Sequence, residues 1–266
     1  MSVVKPRSLV RCFLTLSFLS IGSAAFAADV HVMISAGFYG VYAELGQAFE
    51  RATGHHLITT RGPSLGDSPD AIPTRLSRGE TADVVILDSG SADELAKRGL
   101  VQGSSKILLA RSQVGMVVRA GAAKPDIRTA EEFRRVLLAV NSIAYSDSAS
   151  GIYLSTVLFE KLGIADQVAR KSRKVRGPPS GEAVAAVVAR GEAEIGFQQV
   201  SELINVPGTT FVGPIPSELQ PDVSFAGALT SVAREAEAAR ALIRFLASPE
   251  AASTILKAGL TPVSGR

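Results

Sequence analysis

The 266-residue chain has no tryptophan, only three histidines and three methionines, and one cysteine. Cys12 sits in an apolar run close to the start, and the rest of the chain offers neither a disulfide framework nor a thiol nucleophile. His31, His55 and His56 lack metal-ligand spacing with any acid, so no metal site is expected. Phosphate-cradling P-loops, G-x-S-x-G elbows and G-x-G-x-x-G turns are all missing, and no cofactor is expected. No run reaches the ~20 apolar residues needed to cross a bilayer, so stable membrane insertion is not expected. Surplus charge is missing as well. The formal charge is +3, but residues 1–27 hold Lys5, Arg7 and Arg11 and no acid, and beyond them cations and anions balance. A chain that neutralises phosphates needs an excess of cations, so nucleic acid is not an expected partner.

What is present begins with an export leader. Lys5, Arg7 and Arg11 form a charged head, Cys12–Ile21 an apolar core, and Ala25 and Ala27 the small-x-small pattern before a cleavage site. The reading is a signal peptide over 1–27, followed by an exported monomer placed in a bacterial periplasm.

Strand and helix patterns then alternate. Apolar runs predict strands at Val30–Ser35, His56–Thr60 and Ala82–Leu87, with others at Val114–Val118, Ser142–Tyr145, Glu194–Phe197 and Thr210–Val212. Helical patterns follow Gly40 and fall near 129–139, 151–162, 181–190 and 233–247. This order predicts an α/β protein with parallel sheets and right-handed crossovers. Two three-layer lobes joined by a hinge fit the length: 28–109 with the returning segment 221–266, and 110–220. The basic run Lys171, Arg173, Lys174 and Arg176 reads as a solvated linker.

Three strand-to-helix loops share a composition of small hydroxylated residues and glycine: Ser35–Gly40, Gly62–Ser68 and Ser146–Gly151. Helix starts present unpaired N–H groups and a positive dipole end, which suit an anion. In open α/β sheets such loops meet outside the carboxyl ends of the strands. The expected ligand contacts are Gly37, Phe38, Tyr39, Ser64, Leu65, Ser148, Ser150 and Gly151, with Gln198 and Gln199 from a fourth strand end. Arg61 and Arg75 offer bidentate contacts to carboxylates, with surface salt bridges as the alternative use of both.

At these loops the chain resembles the periplasmic molybdate-binding proteins, the solute-binding components of ABC importers. The resemblance spans nearly all of the chain after the leader. It rests on Arg75, Gly79, Glu80 and Ala82–Leu87, on Ser150-Gly151-Ile152-Tyr153 before Lys161-Leu162-Gly163, and on Phe245–Ala252. It implies a type II periplasmic binding protein whose lobes close over a small anionic ligand, with a transporter permease as partner. The family's first-loop serine falls on Gly37 and its late tyrosine on Gln199, and with Arg61 and Arg75 nearby the expected ligand is a small anion, either an oxyanion or an organic polycarboxylate. One branch resembling this family includes an exported aconitate isomerase, which moves a double bond by taking and returning an allylic proton. For that alternative the candidate proton carriers are Tyr39, Tyr153 and Glu202.

Overall fold

The computed structural model describes Met1, residues 27–66 and residues 68–263. The leader pattern therefore lies almost wholly outside the described residues. Among the described residues eleven strands form two sheets. The first contains β1 (Asp29–Ile34), β2 (His56–Arg61), β3 (Val84–Asp88) and β4 (Ile107–Ser112). The second contains β5 (Val114–Arg119), β6 (Ile143–Ser146), β7 (Ser172–Val175), β8 (Ile195–Gln199) and β9 (Thr209–Pro214). The chain then returns to the first sheet with β10 (Val223–Leu229) and β11 (Thr261–Pro262). Strand order is β11-β4-β10-β3-β1-β2 in one sheet and β7-β6-β8-β5-β9 in the other. The chain passes between the sheets at Gln113 and again over residues 215–222, which include a 3-10 turn at Ser217–Leu219, and these two irregular segments join the lobes.

Both sheets are mixed, where alternation alone predicted parallel ones. β1, β2 and β3 are parallel, but β10 runs antiparallel to β3 and β4. In the second sheet β5 is antiparallel to β8 and β9. The cause is the double crossing: β5 and β10 follow a strand of the other sheet directly, with no covering helix to reverse their direction.

Helices cover both faces of each sheet. On one face of the first lie α1 (Ala36–Thr53) and, from the end of the chain, α10 (Ala236–Leu246) and α11 (Ala252–Lys257), against Val30, Val32, Ile34, Val84 and Ile86. On the other lie α2 (Ile72–Ser77) and α3 (Ser89–Lys97), against Met33, Val85 and Leu87. Successive residues of β3 thus face opposite cores, which explains its unbroken apolar run. In the second lobe α4 (Ala130–Ala139), α5 (Ala149–Tyr153), α6 (Phe159–Lys161) and α7 (Ala165–Ala169) enclose one core, in which Phe133 meets Phe197 edge to face at 5.7 Å. A π-helical turn over Leu154–Leu158 joins α5 to α6, so the helix predicted over 151–162 is built in pieces. On the opposite face α8 (Val184–Ala189) and α9 (Val200–Leu203) pack over Val117, Ala144 and Val175. The basic run read as a linker is partly strand: β7 pairs in parallel with β6, its Val175 is buried, and Lys171 Nζ donates to the Leu138 and Val140 carbonyls. No helix among the described residues is long and apolar enough to cross a membrane.

Candidate functional site

The strand ends and helix starts of both lobes meet in one cleft. From the first lobe come Ser35, Ala36, Gly62, Pro63, Ser64 and Asp88, with Val223 and Phe225 of β10. From the second come Ser146, Asp147, Ser148, Ala149 and Ser150, then Gly177 and Pro178, then Gln198, Gln199 and Glu202. The cavity volume is only about 30 Å³, room for little more than water. Cross-lobe bonds hold this closed arrangement: Ser201 Oγ donates to the Gly37 carbonyl at 2.6 Å, and Ser112 Oγ donates to Gln199 Oε1 at 2.6 Å.

Several hydroxyls are tied to the frame. Ser64 Oγ accepts the Asp88 amide at 3.0 Å, linking the second loop to the end of β3. Asp88 in turn caps α3 by accepting from the Ser91 amide. Ser146 and Ser150 share a hydrogen bond of 3.0 Å, and Asp147 Oδ1 accepts the Gly177 amide at 3.0 Å. Gly151 is required beside them: a Cβ there would lie 1.7 Å from the Ser146 carbonyl oxygen, so only glycine lets α5 start against the end of β6. The buried Ser35 hydroxyl has no partner.

The cleft also contains carboxylates. Glu202, on α9, lies deep between the lobes with part of its surface facing the cavity. Gln198 Nε2 donates to Glu202 Oε2 at 2.6 Å, while Gln198 Oε1 accepts the Val184 amide at 3.2 Å. Burial pushes the Glu202 carboxyl up to about 8; the Arg61 charge and the Gln198 bond oppose the rise and the Asp147 charge adds to it. A glutamate so displaced shares its proton near neutral pH, as a proton-transfer group must. Arg61 lies over the Tyr39 ring, 4.1 Å from its centroid.

Of the residues predicted from sequence, Ser64, Ser148, Ser150, Gln198, Gln199 and Glu202 line the cleft. The structure places the others elsewhere. α1 begins at Ala36, earlier than the loop reading had it, so the helical turn carries Phe38 into the core against Phe225 and Tyr39 onto Tyr42. Gly37 is absent from the cavity lining and contributes its carbonyl to Ser201. Leu65 follows Ser64 outside the lining, and Gly151 supports the cleft from behind. Tyr153 points away, its hydroxyl donating to the Leu219 carbonyl at 2.8 Å, and burial raises its pKa. Arg75 is held by Asp70 at 2.8 Å and Glu80 at 2.7 Å, which is the salt-bridge use of that side chain. Sequence reasoning did not select Asp88, Asp147, Gly177, Pro178 or Phe225. Asp88 ends β3 directly before α3, and Asp147 follows β6 inside the Ser146–Gly151 loop that leads into α5, which was the available signal.

Comparison with known proteins agrees with this geometry. The family profile described as "Bacterial extracellular solute-binding protein" matches residues 30–261. An aconitate isomerase from Pseudomonas sp is 45% identical over 232 residues, 87% of each chain. The molybdate-binding protein ModA of Azotobacter vinelandii is 27% identical over 259 residues, 93% of this chain and 96% of that one. The solved structure of an Azotobacter vinelandii periplasmic molybdate-binding protein superposes with a TM-score of 0.70 at 22% identity, covering 89% of this chain and all of that one. The two mixed sheets and their covering helices are those of a type II periplasmic binding protein, and the chain belongs to the bacterial extracellular solute-binding proteins.

Proposed function

We propose that this protein is an exported isomerase that closes over a small tricarboxylate and moves a carbon–carbon double bond within it, interconverting cis- and trans-aconitate. The observation that carries the proposal is Glu202, a carboxyl with a pKa of about 8 facing the cavity. As a carboxylate it is a stronger base than an ordinary glutamate. It takes a proton from the methylene carbon next to the double bond, and the electron pair spreads into the conjugated carboxylate. The resulting carboxylic acid returns the proton to the former vinylic carbon, so the double bond has moved and no atom or electron is gained or lost. Gln198 holds Glu202 in place, and closure excludes water from the carbanion. The 45% identity to an aconitate isomerase supports this reading.

A cavity of about 30 Å³ is far too small for a tricarboxylate, so the lobes must part to admit it. The sheet topology moves the expected boundary after residue 109 to Gln113, so the moving bodies in this reading are residues 28–112 with 223–266, and residues 114–214, in a periplasmic monomer released from its leader. A second reading, a binding protein that hands an anion to an ABC-transporter permease, is favoured by the molybdate-binding relatives and uses the same cleft without Glu202 as a proton carrier. Incubating purified protein with cis-aconitate and separating the acids by chromatography decides between them. The isomerase reading expects trans-aconitate from the wild type and at least a hundredfold less from Glu202→Gln, with calorimetric binding retained. Tight binding with no product at stoichiometric protein selects the transport reading.

A further inference from the structure

Two buried donors at neighbouring strand ends of the first lobe have no acceptor. The Ser35 hydroxyl, 3% exposed and part of the cleft lining, has no hydrogen-bond partner, and neither has Arg61 Nε. β1 leads into Ser35 and β2 ends at Arg61; Ile34 and Arg61 are register partners, and the Gly62 amide donates to the Ile34 carbonyl. Ser35 occupies the N-cap position of the 18-residue α1, yet its side chain makes no capping bond. Unpaired buried donors are costly, and a folded chain rarely keeps two of them side by side. Among the described residues Arg61 forms no ion pair, whereas Arg75 and Arg78 in the following segment both do. Its guanidinium rests on the face of the Tyr39 ring, and its buried Nε is left without an acceptor. Arg61 directly precedes Gly62, a cleft residue, and its charge reaches Glu202 across the lobes.

The geometry points to a carboxylate subsite in the first lobe, formed by the Ser35 hydroxyl, the Arg61 guanidinium and the first turn of α1, which anchors one terminal carboxylate of the substrate while its reacting carbons face Glu202. This inference rests on the tricarboxylate reading above and adds the residues that select for it. It also couples binding to protonation. A carboxylate on Arg61 cancels the positive charge that opposes protonation of Glu202, and Asp147 in the cleft lining acts in the same sense as the incoming anion; Asp88, the other carboxylate there, caps α3. Binding should therefore be accompanied by proton uptake near pH 8.

The test compares tricarballylate, a saturated tricarboxylate, with methylsuccinate, which lacks one terminal carboxylate. The wild type is expected to bind tricarballylate at least tenfold more tightly. In Arg61→Gln and in Ser35→Ala that gap should narrow to threefold or less, with methylsuccinate affinity little changed, and Arg61→Lys should recover part of it. Calorimetry in buffers of different ionisation enthalpy should show proton uptake in the wild type and less in Arg61→Gln. A full gap retained in both Arg61→Gln and Ser35→Ala, each folded by its melting curve, overturns the subsite and leaves the isomerase proposal standing if aconitate still turns over. Failure of the wild type to bind either acid overturns both.

Discussion

Replacing Glu202 by glutamine should change how stability depends on pH. Burial lifts this carboxyl from the ordinary glutamate value of 4.5 to about 8. The folded state therefore binds the proton more tightly than the unfolded state, and the contribution is fully present below the unfolded value and is lost as pH rises through the folded one. At one unit per 1.36 kcal/mol the full difference is roughly 4–5 kcal/mol. Part of Glu202 faces the cleft, so solvent trims this to about 2–4 kcal/mol. The amide of Glu202→Gln keeps an oxygen for Gln198 Nε2 and carries no ionisation cost. Urea denaturation of the two proteins should give similar stabilities at about pH 5. By about pH 8.5 the variant should be the more stable by roughly 2–4 kcal/mol, with the gap opening between those values. A difference that stays constant over this range would refute the argument, because an ordinary carboxyl titrates below it.

Other expectations follow from the same geometry. If the ionised Glu202 is the base, kcat/KM for aconitate rises with pH, is half-maximal near 8 and levels off only above it, and a profile flat from pH 6 to 9 excludes it. Gly151→Ala drives a Cβ against the Ser146 carbonyl and should cost about 3 kcal/mol or more in denaturant titration, with loss of ligand binding. Arg75→Ala removes both the Asp70 and Glu80 pairs from a largely buried side chain, and about 2 kcal/mol of stability should go with them. Its ligand affinity, measured by calorimetry, should stay within about twofold of wild type, since Arg75 lies outside the cleft.

The readable parts of the sequence were those in which one residue type met one environment. β3 is apolar throughout because both of its faces are buried, and α1 ends where Gly54 takes φ 75° and its amide donates to the Glu50 carbonyl. β10 was hidden for the opposite reason. Its centre is Ala226-Gly227-Ala228, small because Ile243 of α10 packs directly on it: a Cβ on Gly227 would lie 3.2 Å from that side chain. β7 is an edge strand whose outward residues are basic, so its composition resembles a loop. At the site, residues immediately before a helix were legible as polar helix starts. Residues one turn inside a helix were not, since whether Phe38, Tyr39 or Tyr153 faces the cavity or the core depends on where the helix begins. Arg61 and Arg75 have the same chemistry in sequence. The partners of Arg75, Asp70 and Glu80, each five residues away along the chain, separate the structural arginine from the one whose Nε is left unpaired.

Proton NMR of cis-aconitate in deuterated buffer tests the central claim most directly, because it follows the carbon-bound hydrogen itself. With the wild type, trans-aconitate should accumulate and carry deuterium at the carbon that gains the proton whenever Glu202 exchanges with solvent between the two steps; with Glu202→Gln neither signal should appear. Cis-aconitate recovered unchanged and unlabelled beside equimolar wild-type protein would contradict the account.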